Sequence, residues 1–154
     1  MTEAVVAGAI AVAALNAAAG LAGGWLWYRG EPSERPVRVF WLLLRVGQGS
    51  ALAFAVLVGA LALAGRYSSD RLFYLYALLP LAVAFVGEQL RVAAAATVLS
   101  QRDLPGAEAV GRLPQGEQRR IVIEIVRREV GVMALSALVV VFLALRAAGT
   151  AHGF

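Results

Sequence analysis

Four long apolar stretches constrain what this chain can fold into more than any other feature of its sequence. They cover about residues 4–28, 39–65, 72–99 and 130–148. Each stretch is long enough, at 1.5 Å per helical residue, to cross the roughly 30 Å hydrocarbon core of a bilayer. The sequence therefore predicts an all-α polytopic membrane protein, a four-transmembrane-helix bundle formed as one domain by residues 1–154.

Composition agrees with this class and removes several kinds of chemistry. Of the 154 residues, 60% are hydrophobic, whereas soluble domains are about 45–50% apolar. The chain has no cysteine, which excludes disulfides and thiolate sites. The single histidine, His152, lies in the C-terminal tail, so a bis-histidine haem or a His-rich metal centre is not expected. We predict no metal and no cofactor.

The polar stretch before the fourth span predicts an amphipathic cytoplasmic extension of the fourth helix, over about residues 105–129. A short helical turn fits residues 107–113, and the long helix itself should begin near Gly116. The charged residues of the extension share one face at three- and four-residue spacings: Glu117, Arg120, Glu124, Arg127 and Arg128. We expect the network of Arg120, Glu124 and Arg128 to be a solvated helix face.

The distribution of arginine predicts the orientation in the membrane. The loop after the first span and the segment after the third are rich in Arg, whereas the opposite side has only Arg66, Arg71 and Arg146. Because positive loops stay cytoplasmic, the N- and C-termini should both lie outside. The absence of lysine and the abundance of Ala and Gly suggest GC-rich bacterial coding, and hence a multi-pass protein of the plasma (inner) membrane. The expected partners are the lipid bilayer and, at the Arg-rich segments, anionic headgroups; no nucleic acid is expected.

Small residues at four-residue spacing predict close helix packing on the first two spans. The series are Gly20 and Gly24 on the first span, and Gly47, Ala51, Ala55 and Gly59 on the second. Such ridges suit packing within the chain and also a homodimer.

Prolines and polar residues mark where the predicted spans bend, end and begin. Pro80, inside the third span, predicts a kink. The pairs Glu31-Pro32 and Arg35-Pro36 are expected to break the helix between the first two spans. Ser69 or Asp70 should be the N-cap residue of the third span.

Five polar residues lie inside the apolar stretches: Arg45, Gln48, Glu88, Gln89 and Arg91. Arg45 and Arg91 lie equally far along the chain from Ser68, in the turn between spans two and three, and so do Gln48 and Glu88. Equal distances from a helical hairpin turn place residues at similar depth. We therefore predict one cluster of four residues, roughly 10–15 Å from the cytoplasmic ends of the spans. Gln89 should point roughly 100° away from Glu88, toward another interface.

Charges at this depth usually face a protein interior. Glu88 is the only carboxylate well inside a span, and two Arg around one Glu would leave a surplus positive charge. Arginine suits carboxylate and phosphate groups because its guanidinium is planar and forked. The surplus charge could therefore receive an anion or extend toward the lipid headgroups.

Three readings of function follow. In the first, the protein is non-catalytic, a structural or accessory membrane protein whose cluster holds spans two and three together. In the alternative, it binds or moves a small anionic or amphiphilic solute, with Arg45 and Arg91 as ligands, Glu88 as counter-ion or proton carrier, and Gln48 as the orienting group. The third reading, a membrane-embedded enzyme acting on a lipophilic substrate, ranks last because no nucleophile–base pair is visible. We predict no catalytic residue.

Two membrane families have a similar architecture, but their motifs differ from this sequence. The membrane-associated eicosanoid and glutathione enzymes carry an Arg-x-x-x-Asn-x-x-Glu type of pattern on helix two, whereas here Gly49 and Leu52 follow Arg45 at those spacings. The small multidrug exporters carry a functional Glu in the first span, whereas Glu88 is in the third. The sequence therefore indicates an architecture and no family, and architecture alone does not carry function.

Overall fold

A computed structural model describes residues 1–30 and 33–153 of the chain. Its helices are α1 (Thr2–Arg29), α2 (Glu34–Leu63), α3 (Arg71–Ser100), α4 (Ala107–Gly111) and α5 (Gln115–Thr150). The described residues contain no strand. Helices α1, α2, α3 and α5 are long and apolar enough to cross a membrane. The predicted fold class, an all-α bundle with four transmembrane helices, is confirmed.

The start of α2 differs from the sequence prediction. The helix begins at Glu34, earlier than the expected residue 39, and Arg35 and Pro36 form part of its first turn. The N–H groups of a first helical turn have no partner within the helix, so proline is tolerated there. Arg35-Pro36 is therefore not a break, and the other expected break, Glu31-Pro32, lies outside the described residues.

The third and fourth long helices begin close to where the sequence places them. Asp70 is the N-cap of α3, and its carboxylate accepts a hydrogen bond of 2.8 Å from the N–H of Leu72. α3 continues through Pro80, which is buried. α5 begins at Gln115 and continues to Thr150, so the amphipathic segment and the apolar span form a single helix of 36 residues.

The four long helices form a ring in which the contacts are unequal. α5 packs extensively against α1 and α3, and α1 packs against α2. The interface between α2 and α3, although these helices are joined by a short turn, is the smallest of the four around the ring. α2 and α3 therefore need other means of holding their relative position.

Two apolar clusters form the core. The first includes Phe54, Phe73 and Val140, and the second includes Phe40 and Met133. Between them along α1, the buried side chain of Asn16 donates hydrogen bonds to the C=O groups of Val12, at 2.9 Å, and of Gly47 on α2, at 3.2 Å. Among the described residues, the centre of the bundle is thus apolar except for the Asn16 amide, whose Nδ2 group donates both of these hydrogen bonds.

Close packing on α1 uses Gly20 and Gly23. A Cβ added to Gly20 would lie 2.6 Å from the Leu138 side chain, and one added to Gly23 would lie 2.5 Å from that of Phe40. Gly24, which the sequence grouped with Gly20, is exposed, and no atom lies within 4 Å of its Cβ position. A four-residue step advances by about 40° around a helix and a three-residue step goes back by about 60°, so Gly24 and Gly23 lie on opposite sides of Gly20, and the packed face lies on the Gly23 side.

The small residues of α2 divide in the same way. Gly47, Ala51 and Ala55 are buried, and a Cβ on Gly47 would lie 2.9 Å from the side-chain Oδ1 of Asn16. Gly59 is exposed, with no atom within 4 Å of its Cβ position. The accumulated rotation of the series carries its last member out of the interface.

The C-terminal residues pack on the turn between α2 and α3. The C=O of His152 accepts hydrogen bonds from the Ser68 hydroxyl, at 3.0 Å, and from the Ser69 N–H, at 2.9 Å. Ala151 is fully buried. The tail therefore fixes the end of α5 to this turn, while the His152 side chain is exposed.

Candidate functional site

Four of the five predicted polar residues meet between α2 and α3. Nη1 of Arg45 lies 2.6 Å from Oε1 of Glu88 and also donates to Oε1 of Gln48, at 2.7 Å. Nε2 of Gln48 donates to the same Glu88 oxygen at 3.4 Å. Nε of Arg91 donates to the other oxygen, Oε2, at 2.9 Å. Each carboxylate oxygen of Glu88 therefore has its own guanidinium partner.

A second carboxylate, which the sequence interpretation missed, completes this group. Nη1 of Arg91 lies 3.9 Å from Oε1 of Glu129 on α5. We call Arg45, Glu88, Arg91 and Glu129 the ion-pair network. It joins three of the four long helices, and its two arginines and two glutamates have a formal net charge of zero.

The expected surplus of positive charge is therefore not present. Glu129 stands just before the predicted start of the fourth span, at the end of the predicted amphipathic extension. One signal could have revealed it: Glu129 follows Arg128 by about 100° around the helix and so leaves the charged face of the extension. Its side chain is only 20% exposed.

An aromatic side chain accompanies both arginines. The guanidinium carbons of Arg91 and Arg45 lie 5.4 Å and 6.0 Å from the ring centre of Trp41. These distances allow a cation–π attraction, which is stronger where water is excluded. Trp41 precedes Arg45 by four residues, a spacing that places both side chains on one helix face, and this was the available signal in the sequence.

The network lies at the outer edge of the bundle rather than at its centre. The Arg45 side chain is 54% exposed and that of Glu88 is 26% exposed. The sequence led us to expect these charges to face the interior. Helices packed through glycine and alanine leave room there for Asn16 but not for two guanidinium groups. From the edge, the long Arg45 side chain can also reach toward the headgroups.

Gln89 is not part of the network. Its side chain is exposed, and it has no hydrogen bond to any residue that the structure describes. This position follows from the rotation of about 100° between consecutive helical residues.

The charged face of the extension contacts the end of α3. Glu124 pairs with Arg102 at 2.8 Å and with Arg128 at 3.3 Å, and Arg128 also donates to Gln101 at 3.1 Å. Of the three residues expected to form a solvated network, only Arg120 is fully on the exposed face. The contacts with Arg102 and Gln101 connect the end of α3 to the amphipathic part of α5, a connection that the sequence does not predict.

The acidic side chains of the site, Glu88 and Glu129, are engaged in ion pairs with arginine. In the described part of the chain, no group of three or more His, Asp or Glu side chains is placed to bind a metal ion. Glu88 has both oxygens engaged by guanidinium donors, which stabilises its charged form and opposes its use as a base.

No protein-family model, curated protein or solved structure matches this chain. The four apolar helices show a small multi-pass membrane protein.

Proposed function

We propose that this is a non-catalytic membrane protein with a structural or accessory role, in which the ion-pair network holds α3 against α2 and α5. The observation that carries this proposal is the pairing of Glu88 with two arginines, one on each oxygen, in a network whose net charge Glu129 brings to zero. Charged side chains within membrane spans pair with one another, and a set whose formal charges balance does not require a ligand.

The small α2–α3 interface explains why such a network is useful. Lipid tails are as apolar as leucine side chains, so burial of apolar surface does not drive helices together inside a membrane. Close packing and hydrogen bonds between helices drive their association instead. Hydrogen bonds between two charged groups are roughly twice as strong as neutral ones, and here they reach between helices that share little surface.

A second candidate function is the binding or movement of a small anionic or amphiphilic solute at the same place. The observation in its favour is Arg45, which is 54% exposed and uses only Nη1 in its hydrogen bonds. Its remaining donors could bind an anion, with Arg91 as second ligand, Gln48 orienting and Glu88 as counter-ion. We rank this function second because Glu129 already balances the charge.

The location in the cell is part of the proposal. Arg-rich segments flank the ends of α1 and α3, and the positive-inside rule then places both termini outside a bacterial plasma (inner) membrane. Trp25, Trp27 and Tyr28 lie at the same end of α1 and are exposed, as an aromatic belt at an interface would be. A homodimer stays a prediction.

The test is Glu88→Gln, with Gln89→Ala as the matched control one residue away. Glu88→Gln keeps the size of the side chain but leaves two arginines with a single carboxylate. We expect the free energy of unfolding in detergent micelles to fall by about 2 kcal/mol, the usual range for a lost charged hydrogen bond. Gln89→Ala should leave it unchanged.

Binding of dodecyl phosphate, measured by calorimetry, separates the two functions. The structural role predicts that Arg45→Gln binds dodecyl phosphate as tightly as the wild-type protein does, because no anion then occupies the ion-pair network. If Glu88→Gln keeps full stability while Arg45→Gln loses the dodecyl phosphate binding of the wild-type protein, the structural role is wrong and the solute-binding role takes its place.

A further inference from the structure

An apolar groove of about 580 Å³ lies along α5 between α1 and α3. Its volume is in the roughly 300–1,000 Å³ range of small-molecule sites. The helices contribute Gly24 and Trp27 from α1, Ala94 and Thr97 from α3, and Arg128, Gly131 and Leu135 among others from α5. Leu135 is 65% exposed, so the groove opens outward from the bundle, toward lipid.

Two glycines shape this groove. Gly24 has no atom within 4 Å of its Cβ position, so its missing side chain leaves space in the wall. A Cβ on Gly131 would lie 2.8 Å from Cδ1 of Trp27, so the indole ring can rest on α5 only because residue 131 has no side chain. The groove is thus open at Gly24 and bounded by an aromatic ring at Trp27.

Positive charge lies at the Trp27 end of the groove. The guanidinium carbon of Arg127 is 5.3 Å from the ring centre of Trp27, and its Nε donates to the Trp27 C=O at 3.2 Å. Among the described residues, Arg127 has no acidic partner. Arg128 lines the groove and shares the single carboxylate of Glu124 with Arg102, so these three residues together keep a net positive charge.

We infer that this groove binds an anionic phospholipid, with one acyl chain along Gly24, Leu135 and their neighbours and the phosphate at Arg127 and Arg128. An apolar groove that opens toward lipid is filled by acyl chains, because an empty groove forfeits dispersion contacts. The uncompensated arginines at one end then favour an anionic over a neutral headgroup. This inference uses none of the four residues of the ion-pair network and does not rest on the proposed function.

The first test compares headgroups by native mass spectrometry of the purified protein with phosphatidylglycerol and phosphatidylcholine of identical chains. We expect one tightly bound phosphatidylglycerol on the wild-type protein. Arg127→Gln should weaken that binding about fivefold, the effect of roughly one interfacial arginine, and leave phosphatidylcholine binding unchanged. Arg119→Gln, an exposed arginine of the same helix away from the groove, should keep the wild-type preference. Equal losses in the two variants would show diffuse attraction to an Arg-rich segment and overturn the inference.

The second test fills the apolar part of the groove. Gly24→Leu places a side chain in the open wall, and we expect it to reduce the binding of both lipids. Gly59→Leu is the matched control, because Gly59 is equally open but lies on α2, outside the groove. If the two leucine variants bind lipid equally well, the acyl chain does not occupy this groove and the inference is wrong.

Discussion

The α1–α5 interface and the α2–α3 interface maintain the same bundle by different means. α1 and α5 share the larger surface, where Gly20 lies so close to Leu138 that an added Cβ would overlap it. α2 and α3 share a smaller surface. They meet through an edge-to-face contact of Phe54 and Phe73 near the turn, with ring centres 6.5 Å apart, and through the ion-pair network farther along.

This difference indicates that the closeness of two helices determines the kind of contact that joins them. Where the helix backbones approach closely, small residues give dense van der Waals packing, the main source of helix association in lipid. Where they share less surface, long charged side chains extend from one helix to the next. The first kind of interface should tolerate almost no added volume, and the second should tolerate added volume but not an unbalanced charge.

The largest expected effect is on the closely packed interface. Gly23→Leu would place its Cβ 2.5 Å from the Phe40 ring and 2.7 Å from Cβ of Ala134. We expect a loss of about 3 kcal/mol in the free energy of unfolding, at the upper end for overpacking. Gly24→Leu, one residue along, should leave the stability in detergent unchanged. Equal losses in the two variants would show that the packing of α1 is not as close as described.

An intermediate effect is expected at Asn16, where a buried hydrogen bond joins α1 to α2. Asn16→Ala removes the bond to the Gly47 C=O and leaves a small void, so we expect a loss of about 1–2 kcal/mol. Reversible unfolding in mixed micelles measures this change. A variant as stable as the wild type would mean that close packing alone holds α1 to α2.

The smallest expected effect is at the exposed end of the ion-pair network. Arg45→Gln removes one partner of Glu88 but leaves Arg91 in place, and Arg45 is more than half exposed. We expect a loss below about 1 kcal/mol, smaller than the loss for Glu88→Gln. Arg38→Gln, which changes another exposed arginine of α2, serves as the control. A larger loss for Arg45→Gln than for Glu88→Gln would contradict the central position assigned to Glu88.

The sequence predicts the bundle well because four apolar stretches of membrane length allow few other folds. It also places Arg45, Gln48, Glu88 and Arg91 at one depth, since the turn around Ser68 is short and each helix rises regularly from it. The same reasoning could not find Glu129. α3 and α5 are joined by the longer segment of residues 101–114, whose path the sequence does not give. The depth of a residue of α5 in the membrane therefore cannot be found by counting residues from α3.

Helix faces were harder to predict than helix positions. Gly24 and Gly59 fit the spacing of a packing ridge, but the rotation of about 40° at each four-residue step carries them away from the interface. The lining of the network by Trp41 and the pairing of Glu124 with Arg102 depend on which face meets which neighbour. When apolar residues occur on all sides of a helix, the hydrophobic pattern does not indicate which face packs against which neighbour.

A distance measurement between α2 and α3 tests directly whether the ion-pair network holds these two helices in place. Because the chain contains no cysteine, spin labels can be attached at Val46→Cys and Val92→Cys, two exposed positions on α2 and α3. Electron–electron double resonance in lipid nanodiscs should give a narrow distance distribution for this pair, a broad or shifted one when Glu88→Gln is added, and no change with Gln89→Ala. An identical narrow distribution in all three proteins would show that α2 and α3 keep their relative position without the ion-pair network, and the structural role proposed for the network would be wrong.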